Sequence, residues 1–203
     1  MSKPDWNTRY AQSDHLFGTA PNAFLRHEAH RLAPGSRVLC IADGEGRNGL
    51  WLAEQGHRVT SFDASTVAVE KARAWARSRE VTIDAHLSGV DDWDWTADGF
   101  DAVVAIFVQF ADPAMRTRLF AGMWRTLKPG GLLLVEGYTP KQLDHRTGGP
   151  GDVAHLYTDA MMRDLLPAAD VLLLRSYEAV IEEGPAHSGL SGLLDLVARR
   201  PAA

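Results

Sequence analysis

Residues 38–49 join a short apolar run to a glycine-rich turn, and this constrains the fold more than any other feature. The run VLCIA has the composition of a buried strand and stops at Asp43, and three glycines follow within six positions. A helical pattern begins at Arg47, and a second apolar run stops at Asp63, about 20 residues after the first glycine. Glycine lets the backbone turn tightly and approach a ligand closely. The order strand, turn, helix, strand and acid predicts half of a nucleotide-binding α/β sheet, with the last acid placed for ribose hydroxyls.

The rest of the chain alternates strands and helices and then changes pattern. We predict strands over residues 37–42, 57–62, 81–87, 100–107 and 132–138, and helices over 22–33, 48–55, 65–78 and 113–127. A glycine-rich loop over 140–152 and a helix over 158–166 precede two strands over 171–181 and 189–199, joined by a turn containing Gly184 and Pro185. This order indicates an α/β, Rossmann-like three-layer sandwich whose seven-stranded sheet is mostly parallel, with an antiparallel C-terminal hairpin. We expect one domain over residues 1–203, divided into an N-terminal lid and helix (1–34) and a Rossmann-like core (35–203).

The composition argues against several classes of partner. The formal net charge is −5, whereas nucleic-acid-binding proteins usually carry a basic footprint, so we expect no nucleic-acid partner. We also expect a cytoplasmic protein without membrane contact, because the apolar runs are short and the N-terminus lacks an apolar signal core. The single cysteine, Cys40, is predicted to be a buried strand residue. His27 and His30 have helical spacing but no evident third ligand, so we predict no metal site.

The glycine turn leaves two classes of cofactor to compare. Gly44-x-Gly46-x-x-Gly49 matches the fingerprint of dinucleotide-binding turns. However, a carboxylate at Asp43 would repel a pyrophosphate, and it suits a phosphate-free cofactor with a cationic amino-acid part. The terminal hairpin also differs from the six parallel strands of a dehydrogenase domain. A nicotinamide-dependent oxidoreductase is therefore the less favoured alternative.

Several motifs in the same order resemble those of class I S-adenosylmethionine-dependent methyltransferases. They are the turn DGEG at 43–46, Asp63 after the second strand, Ser88-Gly89 after the third, the turn KPGG at 128–131 and the two closing strands. The segments GEGRN (44–48), WNTRY (6–10) and FGTAPN (17–22) are similar to the tellurite-resistance and thiopurine methyltransferase-like branch. Many members of that branch have cysteine where this chain has Asp43.

The resemblance implies S-adenosyl-L-methionine as cofactor and S-adenosyl-L-homocysteine as product. It places Asp43 at the ammonium group of the cofactor and Asp63 at its two ribose hydroxyls. The full set of implied cofactor-binding residues is Tyr10, Asp43, Gly44, Glu45, Gly46, Arg47, Asn48, Asp63, Ala64, Ser65, Ser88, Gly89, Val90, Ala105, Ile106, Phe107 and Gln109.

The resemblance also implies a small-molecule methyl acceptor, such as a thiol or a tellurium or selenium oxyanion. A thiolate or oxyanion needs no general base, since the cofactor supplies the electrophile and the protein mainly aligns the reactants. Candidate catalytic residues after the fifth strand are Tyr138, His145 and Arg146, with arginine as the better oxyanion clamp and solvated loop charge as the alternative for each. A cofactor-binding sensor without catalysis is a second alternative, and both a monomer and a homodimer fit the sequence.

Aromatic residues near the N-terminus are candidates for a cover over the cofactor. For Trp6 and Phe24 we favour simple packing onto the sheet, whereas the resemblance favours cofactor contact for Tyr10. Phe17 belongs to the same candidate lid. In the final turn, His187 is expected to be a surface or structural histidine.

Overall fold

A single seven-stranded sheet organises residues 5–184 and 186–202, the parts of the chain that the computed structural model describes. Its strands run in the order β3-β2-β1-β4-β5-β7-β6. Pairing is parallel from β3 through β5, and antiparallel between β5 and β7 and between β7 and β6. The predicted mostly parallel sheet with an antiparallel C-terminal hairpin is therefore confirmed. The strands are β1 (Arg37–Ile41), β2 (Arg58–Asp63), β3 (Ile83–Leu87), β4 (Phe100–Ile106), β5 (Leu127–Tyr138), β6 (Asp170–Glu182) and β7 (Ser188–Arg199).

Helices connect the parallel strands, and most of them begin with a side-chain cap. Asp5, Asn22, Ser65, Asp112 and Thr158 each accept a backbone N–H of the first helical turn, which satisfies a donor that the helix itself leaves free. The helices are α1 (Trp6–Ala11), α2 (Ala23–Glu28), α3 (Arg47–Glu54), α4 (Thr66–Ser78), α5 (Pro113–Thr126), α6 (Gln142–His145) and α7 (Asp159–Leu165). None of the helices in the described ranges is long and apolar enough to cross a membrane.

Two hydrophobic cores lie on opposite faces of the sheet. Leu39 and Ile41 of β1 pack into one core with α5 and α7, and Val38 and Cys40 of the same strand pack into the other with α2 and α3. Because successive side chains of a strand point to opposite faces, a strand apolar at every position is buried on both sides. These two cores give the three-layer sandwich that the sequence predicts.

Several element boundaries differ from the predictions. The expected helix over 22–33 ends at Glu28 and continues as a short 3₁₀ segment, Ala29–Arg31. The N-terminal segment contains the unpredicted helix α1, and the predicted loop over 140–152 contains α6. The KPGG turn lies inside β5, where a register shift against β4 accommodates it. Pro185 of the predicted hairpin turn lies outside the described residues.

The fold brings the carboxyl ends of the parallel strands to one edge of the sheet. The residues that follow β1, β2, β3 and β4 therefore meet there, although they are far apart in sequence. In open α/β sheets this edge is where ligands bind.

Candidate functional site

A cavity opens at this edge of the sheet, between the strand ends and the N-terminal segment. Twelve of the predicted cofactor-binding residues line it: Tyr10, Asp43, Glu45, Arg47, Asn48, Asp63, Ala64, Ser88, Gly89, Val90, Ile106 and Phe107. The residues Gly44, Gly46, Ser65, Ala105 and Gln109 are not part of its lining. Residues outside the predicted set also contribute, and they are Trp6, Phe17, Gly18, Ile41, Ala42, Phe62, Val104, Phe110 and His187.

Asp63 is held rigidly at the end of β2. One of its carboxylate oxygens accepts the N–H of Gly44 at 3.0 Å, and the other accepts the N–H of Ser65 at 2.8 Å. Burial raises the pKa of Asp63, and these backbone donors act in the opposite direction. Each carboxylate oxygen has a further lone pair, so Asp63 retains acceptor capacity for a pair of hydroxyl groups in the cavity.

Asp43 ties the glycine turn to the first turn of α3. Its Oδ2 accepts the N–H of Gly49 at 3.0 Å, and a Cβ at position 49 would lie 2.5 Å from that oxygen. Glycine at 49 is therefore required for this contact. Desolvation raises the pKa of Asp43 to about 7, although the hydrogen bond and the Arg47 charge favour the ionised form. A cationic group in the cavity would be the natural partner of this carboxylate.

The predicted residues outside the lining support the site from behind. Gly44 adopts a φ of +58°, and a Cβ there would collide with the hydroxyl of Tyr10. Ser65 caps α4 by accepting the N–H of Ala68 at 3.1 Å. Gln109 joins the end of β4 to the end of β5, because its amide accepts the N–H of Tyr138 at 2.6 Å and donates to the carbonyl of Tyr138 at 2.8 Å.

An aromatic cluster of Trp6, Tyr10 and Phe17 covers one side of the cavity. The ring centroids of Trp6 and Tyr10 are 5.8 Å apart, and those of Tyr10 and Phe17 are 6.0 Å apart. Our preference for simple packing holds for Phe24, which lies in a hydrophobic core, but Trp6 faces the cavity. We call the segment that carries Trp6, Tyr10 and Phe17 (residues 5–22) the lid.

Glu45 and Lys71 fasten the lid to the core. Lys71 donates to the carbonyl oxygen of Tyr10 at 2.5 Å and to Glu45 Oε1 at 2.9 Å. The second oxygen of Glu45 accepts the N–H of Leu16 at 2.7 Å. Both carboxylate oxygens of Glu45 therefore hold the lid, although the residue also lines the cavity.

A buried polar network fastens the other end of the lid. Asn48 accepts the backbone N–H of Asn22 at 2.9 Å. The side-chain amide of Asn22 donates to Glu183 at 2.9 Å and also to Glu136. Glu183 in turn accepts from Arg47 Nη2 at 2.6 Å. The network joins the lid, α3, β5 and the C-terminal hairpin in one place.

Two carboxyl groups meet at the β5–β7 pairing behind this network. Glu136 is in register with Asp195, and both side chains are buried. Burial raises the pKa of Glu136 well above its usual range, and the neighbouring Asp195 and Glu183 charges add to this effect. Asp195 keeps its charge more readily because Arg175 donates to it at 2.7 Å. Burial raises the pKa of Asp195 too, but Arg175 opposes that rise, so protonation of the pair favours Glu136.

The candidate catalytic residues are divided by the structure. Arg146 is exposed at the C-terminal end of α6, and His145 is bonded to Glu178 at 2.8 Å. Neither lines the cavity, so the predicted loop clamp is not assembled there. Tyr138 is buried beside the cavity, with its ring centroid 4.7 Å from that of Phe107.

Among the residues that line the cavity, His187 is the hardest to predict from the sequence. It is buried, with its ring centroid 4.4 Å from that of Phe107, and burial lowers its pKa to about 3. It is therefore a neutral cavity residue rather than a surface histidine. The hairpin folds back across the strand ends, and this long-range return leaves no local pattern around residue 187.

The histidine pair considered for a metal is engaged elsewhere. His27 is bonded to Glu28 at 2.8 Å, and His30 is bonded to the carbonyl oxygen of His27 at 2.8 Å. Among the residues that the structure describes, no group of three or more potential ligands is arranged for a metal ion.

Comparison with known proteins shows which domain the central part of the chain is similar to. Residues 38–131 match the family model described as "Methyltransferase domain". S-Adenosylmethionine is the cofactor that this family and fold imply. A phosphate-free cation with a ribose fits the two carboxylates at Asp43 and Asp63 and the close glycine turn between them.

Curated relatives share only part of their length with this chain. Glycine N-methyltransferase of Rattus norvegicus is 30% identical over 117 residues, which are 49% of this chain and 39% of the relative. A tRNA (uracil(54)-C(5))-methyltransferase of Pyrococcus horikoshii is 31% identical over 101 residues, which are 45% of this chain and 24% of the relative. The chain thus spans well under half of either protein.

Solved structures share the fold over most of the chain. TehB from Haemophilus influenzae superposes with a TM-score of 0.74 at 17% identity, covering 90% of this chain and 63% of TehB. An S-adenosylmethionine-dependent methyltransferase from Methanosarcina mazei gives a TM-score of 0.72 at 21% identity, covering 91% of this chain and 100% of its own.

Proposed function

We propose that this protein transfers the methyl group of S-adenosylmethionine to a small-molecule acceptor, with thiols and tellurium or selenium oxyanions as the first candidates. The observation that carries the proposal is the lid-covered cavity that contains two anchored carboxylates, Asp43 and Asp63. Asp63 would hold the ribose hydroxyls and Asp43 the ammonium group. The proposed methyltransferase domain comprises residues 1–203, and its N-terminal part, residues 1–34, contains the lid and helix α2.

Methyl transfer from a sulfonium depends on aligning the two reactants and excluding water more than on acid–base chemistry. The bound cofactor supplies an electrophilic methyl group. Alignment of two reactants is worth about 7–11 kcal/mol of a reaction barrier. Trp6 and Phe17 would exclude water over the reacting atoms, and the fixed Asp43 and Asp63 would orient the cofactor. A thiolate or oxyanion acceptor needs no proton removed by the protein.

Charge and closure favour a small acceptor over a nucleic acid. The net charge is −5, and recognition of a phosphate backbone normally uses a basic surface. The lid lies across the cavity, held by Lys71, Glu45 and Asn48. Some relatives are tRNA methyltransferases by name, so tRNA belongs among the acceptors tested. The likeness to TehB concerns the fold alone. Tellurite is an early choice because the segments at 6–10, 17–22 and 44–48 resemble the tellurite-resistance branch.

Calorimetric titration with S-adenosylhomocysteine tests the cofactor half of the proposal, with NAD and NADP as controls. We expect micromolar binding of S-adenosylhomocysteine alone. Asp63→Ala should weaken it at least about tenfold, because hydrogen bonds to a charged group are worth roughly 1.5–3 kcal/mol. Retained affinity in this folded variant would remove Asp63 from the site.

Transfer of a labelled methyl group from S-adenosylmethionine to thiols, tellurite, selenite and tRNA then tests the acceptor. Product from a thiol or a chalcogen oxyanion would support the proposal. Cofactor binding with no transfer to any acceptor would favour the non-catalytic sensor, and product from tRNA alone would contradict the small-molecule assignment.

A further inference from the structure

Three buried polar atoms without a partner lie beside the cavity. Among the described residues, Arg47 Nη1, Tyr138 Oη and His187 Nδ1 have no hydrogen-bond partner. The exposed fractions of these residues are 7%, 1% and 8%. Buried polar groups in proteins are nearly always hydrogen-bonded. Three exceptions in one neighbourhood therefore indicate a polar ligand.

Two of the three residues, Tyr138 and His187, belong to one aromatic cluster. The His187 ring lies edge-on to Tyr138, with centroids 5.7 Å apart, and it also packs against Phe17 at 4.5 Å and Phe107 at 4.4 Å. Burial and the Arg47 charge lower the pKa of His187. Burial and the Glu183 and Glu136 charges raise the pKa of Tyr138, and the Arg47 charge opposes that rise. Arg47 thus lies within electrostatic reach of both rings, and Arg47 and His187 both line the cavity.

The charges at this place suit an oxygen that carries negative charge. Glu183 occupies Nη2 of Arg47 and leaves Nη1 free. His187 is neutral because burial holds its pKa at about 3, so it does not repel the guanidinium. Burial raises the pKa of Glu136 well above its usual range, which favours the uncharged form of this neighbouring carboxyl group. A guanidinium, a phenol and an imidazole N–H each donate to an oxyanion, and such charge-assisted bonds are strong.

Two of these groups lie apart from Asp43 and Asp63. Asp43 follows β1 and Asp63 ends β2, whereas Tyr138 ends β5 and His187 lies in the hairpin that crosses the strand ends. Arg47 opens α3 next to the Asp43 turn, and its charge acts on Asp43 as well as on Tyr138 and His187. We propose that Arg47, Tyr138 and His187 form an acceptor subsite that binds a carboxylate or other oxyanion carried by the methyl acceptor. This inference rests on the proposed function and narrows its substrate to small oxyanionic molecules. It also assigns anion binding to the buried Arg47 instead of the exposed Arg146.

Two thiols that differ in one group test the subsite. Thioglycolate carries a carboxylate, and 2-mercaptoethanol has a neutral hydroxyl in its place. Each is titrated into protein saturated with S-adenosylhomocysteine, and binding is followed by ligand-observed NMR. We expect thioglycolate to bind about tenfold more tightly, as a charge-assisted bond allows. Tyr138→Phe should remove most of this preference, and its unbonded hydroxyl makes the change tolerable for folding.

Tyr157→Phe is the matched control. It also deletes a buried hydroxyl without a partner among the described residues, but Tyr157 packs against Phe120 in a hydrophobic core, whereas Tyr138 packs against His187. An equal loss in Tyr157→Phe, or equal binding of the two thiols, would overturn the subsite. Thioglycolate that binds only in the absence of S-adenosylhomocysteine would also overturn it, because the anion would then occupy the place of the cofactor carboxylate. Failure of S-adenosylhomocysteine itself to bind is seen first and would refute the proposed function.

Discussion

At the scale of single residues, this site depends on how each carboxylate is engaged. Both carboxylate oxygens of Glu45 accept hydrogen bonds that hold the lid, whereas within the described part of the chain only one oxygen of Asp43 accepts a bond, from the Gly49 N–H. Two acidic side chains in one turn thus take different roles because their neighbours differ. Sequence alone places both in the turn but does not show which of them retains an oxygen for a ligand.

The raised pKa of Asp43 makes cofactor binding sensitive to pH. The carboxyl group of the free protein titrates at about 7, and its ionised form should bind the ammonium group. Affinity for S-adenosylhomocysteine should therefore fall as the pH is lowered, by about tenfold between pH 8 and pH 6 for one such group. Titration calorimetry across this range measures the effect.

Asp43→Asn is the control for this pH dependence. Its amide oxygen still accepts the Gly49 N–H, so the turn should survive. We expect weaker binding and a nearly flat profile between pH 6 and pH 8. A variant that keeps the full pH dependence would show that another group is responsible.

At the scale of elements, the lid is seated by a close backbone approach to the C-terminal hairpin. Gly184 has a φ of +82°, and a Cβ there would collide with the backbone of Phe17 and Gly18. Phe17 and Gly18 both line the cavity. The hairpin turn therefore sets the position of the lid through a contact that only glycine permits.

Gly184→Ala should displace the lid and weaken cofactor binding. Gly56→Ala is the matched variant, since Gly56 has a φ of +87° but open space around its Cβ position. Both variants should lose about 1 kcal/mol of stability from the left-handed backbone. Only Gly184→Ala should lower the affinity for S-adenosylhomocysteine, by several-fold. Equal affinities of the two variants would show that the lid does not depend on this contact.

The Glu136–Asp195 pair gives the β5–β7 pairing a pH-dependent stability. The pKa of Glu136 is raised in the folded state above its ordinary value of 4.5. The folded protein therefore binds the proton more tightly, and stability is lost as the pH rises from about 4.5 through the raised pKa. Glu136→Gln should flatten this decline and be more stable at pH 8, by about 1–3 kcal/mol. Denaturant unfolding at pH 5.5 and pH 8 measures the difference.

Glu182→Gln provides the comparison for this measurement. Glu182 is exposed at the end of β6, so its substitution makes the same chemical change at the surface. It should leave the pH dependence of unfolding unchanged. A decline with pH that persists in Glu136→Gln would contradict the assignment of the proton to Glu136.

Elements were predictable from the sequence where the information is local. The apolar strands with their flanking turns and the acid after β2 are short-range signals, and the sheet follows from their order. The contributions of His187 and of Arg47 Nη1 depend on the C-terminal hairpin, whose Glu183 lies 136 residues after Arg47 in the chain. Helix α1 was missed because its aromatic residues serve the cavity instead of a regular core face.

At the scale of the whole molecule, ligand binding should couple the lid, the strand ends and the hairpin. These parts share the network of Asn22, Arg47 and Glu183, and all of them contribute to the cavity. A ligand bound there contacts segments distant in sequence and stabilises the folded chain as a unit. The gain in unfolding free energy depends only on ligand concentration relative to Kd.

S-Adenosylhomocysteine at a hundredfold excess over its Kd should therefore raise the melting temperature. The expected stabilisation is about 2.7 kcal/mol, which corresponds to roughly 5–10 °C for a chain of this size. 5′-Methylthioadenosine lacks the amino-acid part that Asp43 would hold, so at the same concentration its shift should be smaller, and NAD should produce none. In Asp43→Asn the shifts for S-adenosylhomocysteine and 5′-methylthioadenosine should converge. Equal shifts for these two ligands in the natural protein would mean that Asp43 does not face the cofactor, even if the cavity binds it.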